Sequence, residues 1–240
     1  MGKLLELLKL EYEPVAIYRA SNVPSEAVVQ QSGFCCMPTL LFSVVKSGKT
    51  ATATLSTLLC PGAKSSLGFG PCDDIEGSSH FLSCGIEGGM PGTHKKKTLQ
   101  LAKDFLNSLK TYGNGDDTIV FSPISKAIAD NAPIEVVVFY AAPNHLSALA
   151  TIVSYAREKP DPATIMPYSS GCQSIYQMPL MEGESDNPRA VLGLTDLVPR
   201  VFADSDKFTF AVPYCLYKIM DKNAEESFLS GPEWKKFVEK

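Results

Sequence analysis

The residues with the widest chemical reach in this chain are its seven cysteines, and Cys60 is the best placed of them. It follows a run of β-formers, Thr50–Leu59, and opens Cys60-Pro61-Gly62-Ala63-Lys64-Ser65-Ser66-Leu67. Pro61 fixes φ and removes a donor, Gly62 frees the chain to take φ > 0, and the next residues can begin a helical turn. A thiol where a strand stops and amide N–H groups turn towards the sulfur is expected to have a lowered pKa. Such a thiolate serves as a metal ligand or a nucleophile. Cys35 and Cys36 stand just before Pro38, which suits the first turn of a helix over Thr39–Lys46, so they too sit at a helix N-terminus. Cys172 ends Ser169-Ser170-Gly171-Cys172, after a short strand at Thr164–Met166.

Cys36, Cys60 and Cys172, with Cys35 as a fourth, are therefore the candidate metal ligands. Iron–sulfur clusters take thiolates, commonly four, and zinc, the second choice, takes the same set tetrahedrally. No Cys-x-x-Cys pair is present, and neighbouring cysteines diverge, by about 100° on a helix. One of Cys35 and Cys36 is expected to pack while the other binds. A different chemistry from the same residues is a metal-free small-molecule site or thiol-dependent enzyme with Cys60 as the reactive group. Of His80, His94 and His145, only His145, at a helix start, is placed to act as its base. Cys72 and Cys84 flank a glycine-rich loop and could add ligands or form a redox pair, and Cys215 reads as core. Asp73, Asp74 and Glu76 lack the spacing of a calcium loop and read as a solvated loop, while Gly85–Gly92 lacks a phosphate-binding context.

The elements that must position these groups follow from periodicity. Gly2–Glu11 is a short amphipathic helix ended by Glu13-Pro14, and Val15–Tyr18 is a strand. Gly68–Gly92 reads as a long irregular loop, and Lys95–Lys110 as a helix whose Lys95, Lys96 and Lys97 form a solvated first turn. Pro133–Tyr140 is apolar nearly throughout, the pattern of a central strand covered on both faces. Asn144 then caps a helix over His145–Arg157, Lys207–Val212 is a strand, and helices begin at Pro213 and Gly231.

Composition narrows the class. Of 240 residues, 45% are apolar and 20% charged, enough to bury a full core as a single domain, 1–240. A net charge of −4 gives no basic field for nucleic acid. No apolar run reaches the length of a membrane span, and Glu6 and Lys9 interrupt the leucine-rich start, so a cytoplasmic chain with free or metal-bound thiols is expected.

Two segments, 13–70 and 132–180, share one order of strand, loop, helix, strand and cysteine. The expected fold is α/β or α+β, a mixed sheet built from two similar strand–helix–strand halves. A pseudo-twofold axis between them would bring Cys60 and Cys172 together. Glu13-Pro14-Val15-Ala16, Cys35-Cys36 before a helix, Cys60-Pro61-Gly62-Ala63 with Leu67-Gly68-Phe69, Pro143 before a helix, and the late Cys172 form a pattern. It resembles domain-of-unknown-function family 169, an uncharacterised, cysteine-containing prokaryotic family. The resemblance spans about Leu5 to about Met220, and the family name implies no activity. The residues point to a cytoplasmic cysteine-ligated metal or iron–sulfur protein with a redox or sensing role, working with a small molecule or a redox partner protein.

Overall fold

The computed structural model describes residues 2–21, 36–58, 60–70, 72, 74–113 and 117–238, and the backbone of 28–29. In chain order the elements are α1 (Lys3–Leu8), β1 (Val15–Ala20), β2 (Val28–Val29), α2 (Met37–Ser47), β3 (Ala51–Ala53), α3 (Pro61–Leu67), α4 (Ile75–Leu82) and α5 (Leu99–Asn107). Then come β4 (Thr118–Pro123), α6 (Ile124–Ala129), β5 (Val136–Ala141), α7 (Pro143–Ser154), β6 (Thr164–Ile165) and a π-helical turn, Gln173–Gln177, that runs into α8 (Met178–Gly183). β7 (Ala190–Gly193), α9 (Leu197–Arg200), β8 (Phe208–Pro213), α10 (Tyr214–Asn223) and α11 (Pro232–Val238) complete the chain.

The strands form one mixed α/β sheet in the order β2-β3-β4-β1-β5-β8-β7-β6. Among the described residues only β2–β3 and β6–β7 are parallel, and β1 and β5 pair antiparallel at the centre with Ala16 opposite Val137. All six residues of β5 are buried, as its unbroken apolar run requires. Its side chains alternate between two cores. Val137 and Phe139 pack with α1, α6, α7, α10 and α11, through residues such as Leu8, Leu149, Met220 and Trp234. Val136, Val138 and Tyr140 pack on the other face with α2, α3 and the π-helical turn, through Met37, Leu41, Leu67 and Tyr176.

Several expected elements are shorter or differently started. The strand expected over Thr50–Leu59 stops at Ala53, because Thr57 turns the chain. Its hydroxyl accepts from the Thr54 amide at 2.9 Å and donates to the Thr54 carbonyl at 3.2 Å, replacing ladder bonds. The supposed loop over 68–92 contains α4, because Asp74 caps it by accepting from the Gly77 amide at 2.7 Å. Asp73 lies outside the described residues. The next helix starts at Leu99, with Thr98 as its cap, so Lys95–Lys97 precede it. The helix expected from an Asn144 cap, α7, begins instead at Pro143 after Ala142, since proline's fixed φ suits the first helical position.

Candidate thiol site

Cys36 is the residue before α2, and its carbonyl accepts from the amides of Thr39 at 2.9 Å and Leu40 at 3.3 Å. Cys60 stands in the same position before α3, its carbonyl accepting from the Lys64 amide at 3.0 Å. Cys172 sits at the start of the helical run that contains the π-helical turn, buried with Ile175 and Tyr176. The three come from distant stretches of chain and gather on one face of the sheet, in one apolar cluster. Close approach depends on Gly171. A Cβ there would lie 2.8 Å from Cγ of Pro38 and 3.1 Å from Cγ of Pro199, so the start of α2, the start of the π-helical run and α9 meet around a missing side chain.

The thiols interact directly. The side chains of Cys36 and Cys172 share a hydrogen bond, and Cys60 is near enough for its charge to act on Cys172 and for that of Cys36 to act on Cys60. The bond from Cys172 favours the Cys36 thiolate, and the Thr39 amide adds to it. Against these stand burial and the negative charge of Asp196, yet the Cys36 thiol ends below the ordinary range. Cys172 is pushed well above it by its bond to Cys36 and by burial, although the Met37 amide faces its sulfur. Of this pair Cys36 loses its proton first. Cys60 differs from the expectation of a lowered pKa: burial pushes it up and outweighs the Ala63 and Gly62 amides that face the sulfur.

A strap from the α4–α5 connection borders the thiols. Lys95 forms an ion pair with the buried carboxylate of Asp196, which also caps α9 by accepting from the Val198 amide at 3.0 Å. The Lys96 ammonium lies 4.2 Å from the ring centre of Phe105 and 4.3 Å from that of Tyr168. Burial, with Asp196 adding to it, raises the Tyr168 hydroxyl to about 12. The lysine run is therefore packed at its first two residues, where the sequence suggested a solvated turn. Sequence reasoning passed over Asp196, read Lys95 as part of a solvated turn and noted Gly171 only as the neighbour of Cys172. An Asp two residues before Val198-Pro199 is a cap pattern that could have marked the first, but nothing local predicts the ion pair across 101 residues.

Other expected groups lie elsewhere. Cys35 falls outside the described residues. His145 packs edge-on against Trp234 at 5.7 Å, on the opposite face of the sheet, so it is no base for Cys60. Cys215 is exposed, because α10 turns Leu216, Tyr217 and Met220 inward and leaves the preceding position outside. Cys72 and Cys84 lie on either side of α4 in the chain, and neither is in a disulfide. Cys72, 3.3 Å from the Ser78 hydroxyl, is near enough to Cys60 for its charge to raise that thiol. Cys84 is exposed beside His80 at 4.0 Å. Glu76 pairs with Lys103 at 2.5 Å. Among the described residues, no three His, Cys, Asp or Glu side chains stand at ready-made metal spacing, and no helix is long and apolar enough to cross a membrane.

A family model described as "Uncharacterised ArCR", domain-of-unknown-function family 169, matches residues 3–223. The chain belongs to this family. The match takes in all eight strands of the described residues, Cys36, Cys60 and Cys172, and stops at the last residue of α10. No curated protein and no solved structure matches the chain. Membership in the family 169 therefore brings the thiol site within a shared domain but brings no chemistry with it.

Proposed function

We propose that this chain is a cysteine-based redox or sensing protein of the cytoplasm, in which Cys36, Cys60 and Cys172 hold an iron–sulfur cluster or, as second choice, zinc. The observation that carries this reading is that cysteines from three separate segments pack in one apolar cluster, with Cys60 near enough for its charge to act on Cys172. Amide N–H groups of Thr39, Ala63 and Met37 face the three sulfurs, the kind of contact that stabilises thiolates and tunes a cluster's potential. A fourth thiolate would come from Cys72, whose charge already reaches Cys60, or from Cys35. Electrons or a signal would pass to a small molecule or a redox partner protein.

Anaerobic purification with iron and zinc counting tests it. Bound iron with a broad absorption in the visible blue is expected, and Cys60→Ser or Cys36→Ser should remove it. A colourless protein free of both metals, or unchanged metal content in both variants, rejects the reading. A lone reactive Cys60 is the weaker alternative, since burial disfavours its thiolate and His145 lies across the sheet.

We also infer that the chain is a duplication. The strand order supports it, reading β2-β3-β4-β1 from one edge and β6-β7-β8-β5 from the other. The register agrees: Val15↔Pro123 answers to Val136↔Pro213, and Ala51↔Phe121 to Val191↔Ala211. At the centre, Val15↔Val138 exchanges with Ile17↔Val136, which puts the axis at Ala16↔Val137. This correspondence differs from the repeat at 13–70 and 132–180. Cys36 and Cys172 each lie between the second and third strands of a half, whereas Cys60 follows the third. The equivalence concerns those connections, and the sulfurs meet because both run over the same face.

A further inference from the structure

We propose that Cys36 and Cys172 are a thiol–disulfide exchange couple that works without any metal. The proposal shares the thiol site of the reading above but not its cofactor. Its basis is geometric. Gly171, beside Cys172, lies so close to Pro38, two residues after Cys36, that a Cβ there would stand 2.8 Å from the Pro38 ring, and both thiols pack in one apolar cluster although 136 positions separate them. A disulfide needs Cβ atoms about 3.5–4.5 Å apart, and the close approach of Gly171 to Pro38 already holds the two helix starts side by side.

Exposure divides the roles. Cys36 is half-buried and can be met from solvent, while Cys172 is 5% exposed and faces Cys36 from inside the cluster. The substrate class is a small-molecule disulfide, R–S–S–R. The Cys36 sulfur, as thiolate, attacks one sulfur of R–S–S–R. A bond forms between Cys36 and that sulfur, and R–S⁻ leaves and takes up the proton that Cys36 gave to solvent. Cys172 then loses its proton and attacks the Cys36 sulfur. The mixed disulfide breaks, the Cys36–Cys172 bond forms, and the second R–S⁻ leaves with a proton. Two protein thiols are oxidised and one disulfide is reduced to two R–SH. A dithiol reductant reverses the sequence. Cys60 stays reduced beside them and is not needed for either step.

The test uses the full chain stripped of metal by a chelator, incubated with glutathione disulfide, with the remaining thiols blocked and the peptides read by mass spectrometry. A peptide pair linking Cys36 to Cys172 is expected, lost completely on treatment with dithiothreitol. In Cys172→Ala the linked pair should vanish and a glutathione adduct should accumulate on Cys36. Cys36→Ala should leave Cys172 unmodified. Circular dichroism checks that both variants fold, and Cys172→Ser replaces the first if it does not. Blocked, unlinked Cys36 and Cys172 in the oxidised wild type, or Cys36 linked mainly to Cys35 or Cys60, would overturn the proposal. Metal counting is separate: a chain without iron or zinc that forms this link keeps the couple and loses the metal reading, and the reverse result does the opposite.

Discussion

A buried glycine and an acidified thiol fix how the Cys36–Cys172 site is held and how it reacts. Gly171→Ala should destabilise the fold by about 1–3 kcal/mol, because its Cβ would press on the rings of Pro38 and Pro199, neither of which can rotate away. Urea denaturation measures this, and an unchanged midpoint would mean that the three helix starts are not locked together there. Alkylation kinetics read the thiols. The reaction needs the thiolate, and Cys36 is lowered while Cys60 is raised, so Cys36 should be modified by iodoacetamide at lower pH than Cys60. Cys172→Ala removes the largest influence lowering Cys36, so the Cys36 profile should move to higher pH. A profile that stays in place would deny the thiol–thiol bond. Residue types made these three cysteines legible as candidates. The raised Cys60 was not, because burial depends on what covers a residue, and the cluster against which Cys60 packs is drawn from β1, α2, β5 and the π-helical turn as well as its own segment.

Elements with one strong local signal were legible, and those decided by distant partners were not. β5 announces itself as an apolar run, and α2 by Pro38 and its leucines. The turn that ends β3 depends on which hydroxyls bond back to the chain, and the lysine strap before α5 depends on a carboxylate in another half of the sequence. That strap gives a prediction. Asp196→Ala leaves Lys95 with its charge 14% exposed and unpaired, and uncaps α9, so a loss of about 3–5 kcal/mol is expected in thermal or urea unfolding. Lys95→Met with Asp196→Ala removes both charges and should recover part of that loss. If the double variant is as unstable as the single one, the cap rather than the ion pair holds the strap. Removing the Asp196 charge should also shift Cys36 alkylation to still lower pH, since that charge opposes the thiolate.

At the scale of the whole molecule, the two halves share one sheet through β1 and β5, and the chain ends are tied to each other on one face. The Leu4 amide donates to Asp221 Oδ1 at 2.8 Å, and the Trp234 indole donates to the Leu7 carbonyl at 2.8 Å. Leu4, Leu5 and Leu8 are buried against that face, at about 1.5–3 kcal/mol for each side chain. Neither half can therefore keep its core once the other opens, whatever the ancestry of the halves. Unfolding should be a single cooperative transition. Trp234, the one tryptophan, reports on the face that joins α1 to the C-terminal helices, while far-ultraviolet circular dichroism reports on all elements. The two denaturation curves should coincide. Deleting residues 2–10 should lower the midpoint of both curves together, by several kcal/mol of stability, because three leucines and the partner of Trp234 are lost at once. If fluorescence instead moves alone and the dichroism transition keeps its midpoint, the C-terminal helices open independently of the sheet, and the central β1–β5 pair does not bind the halves into one unit.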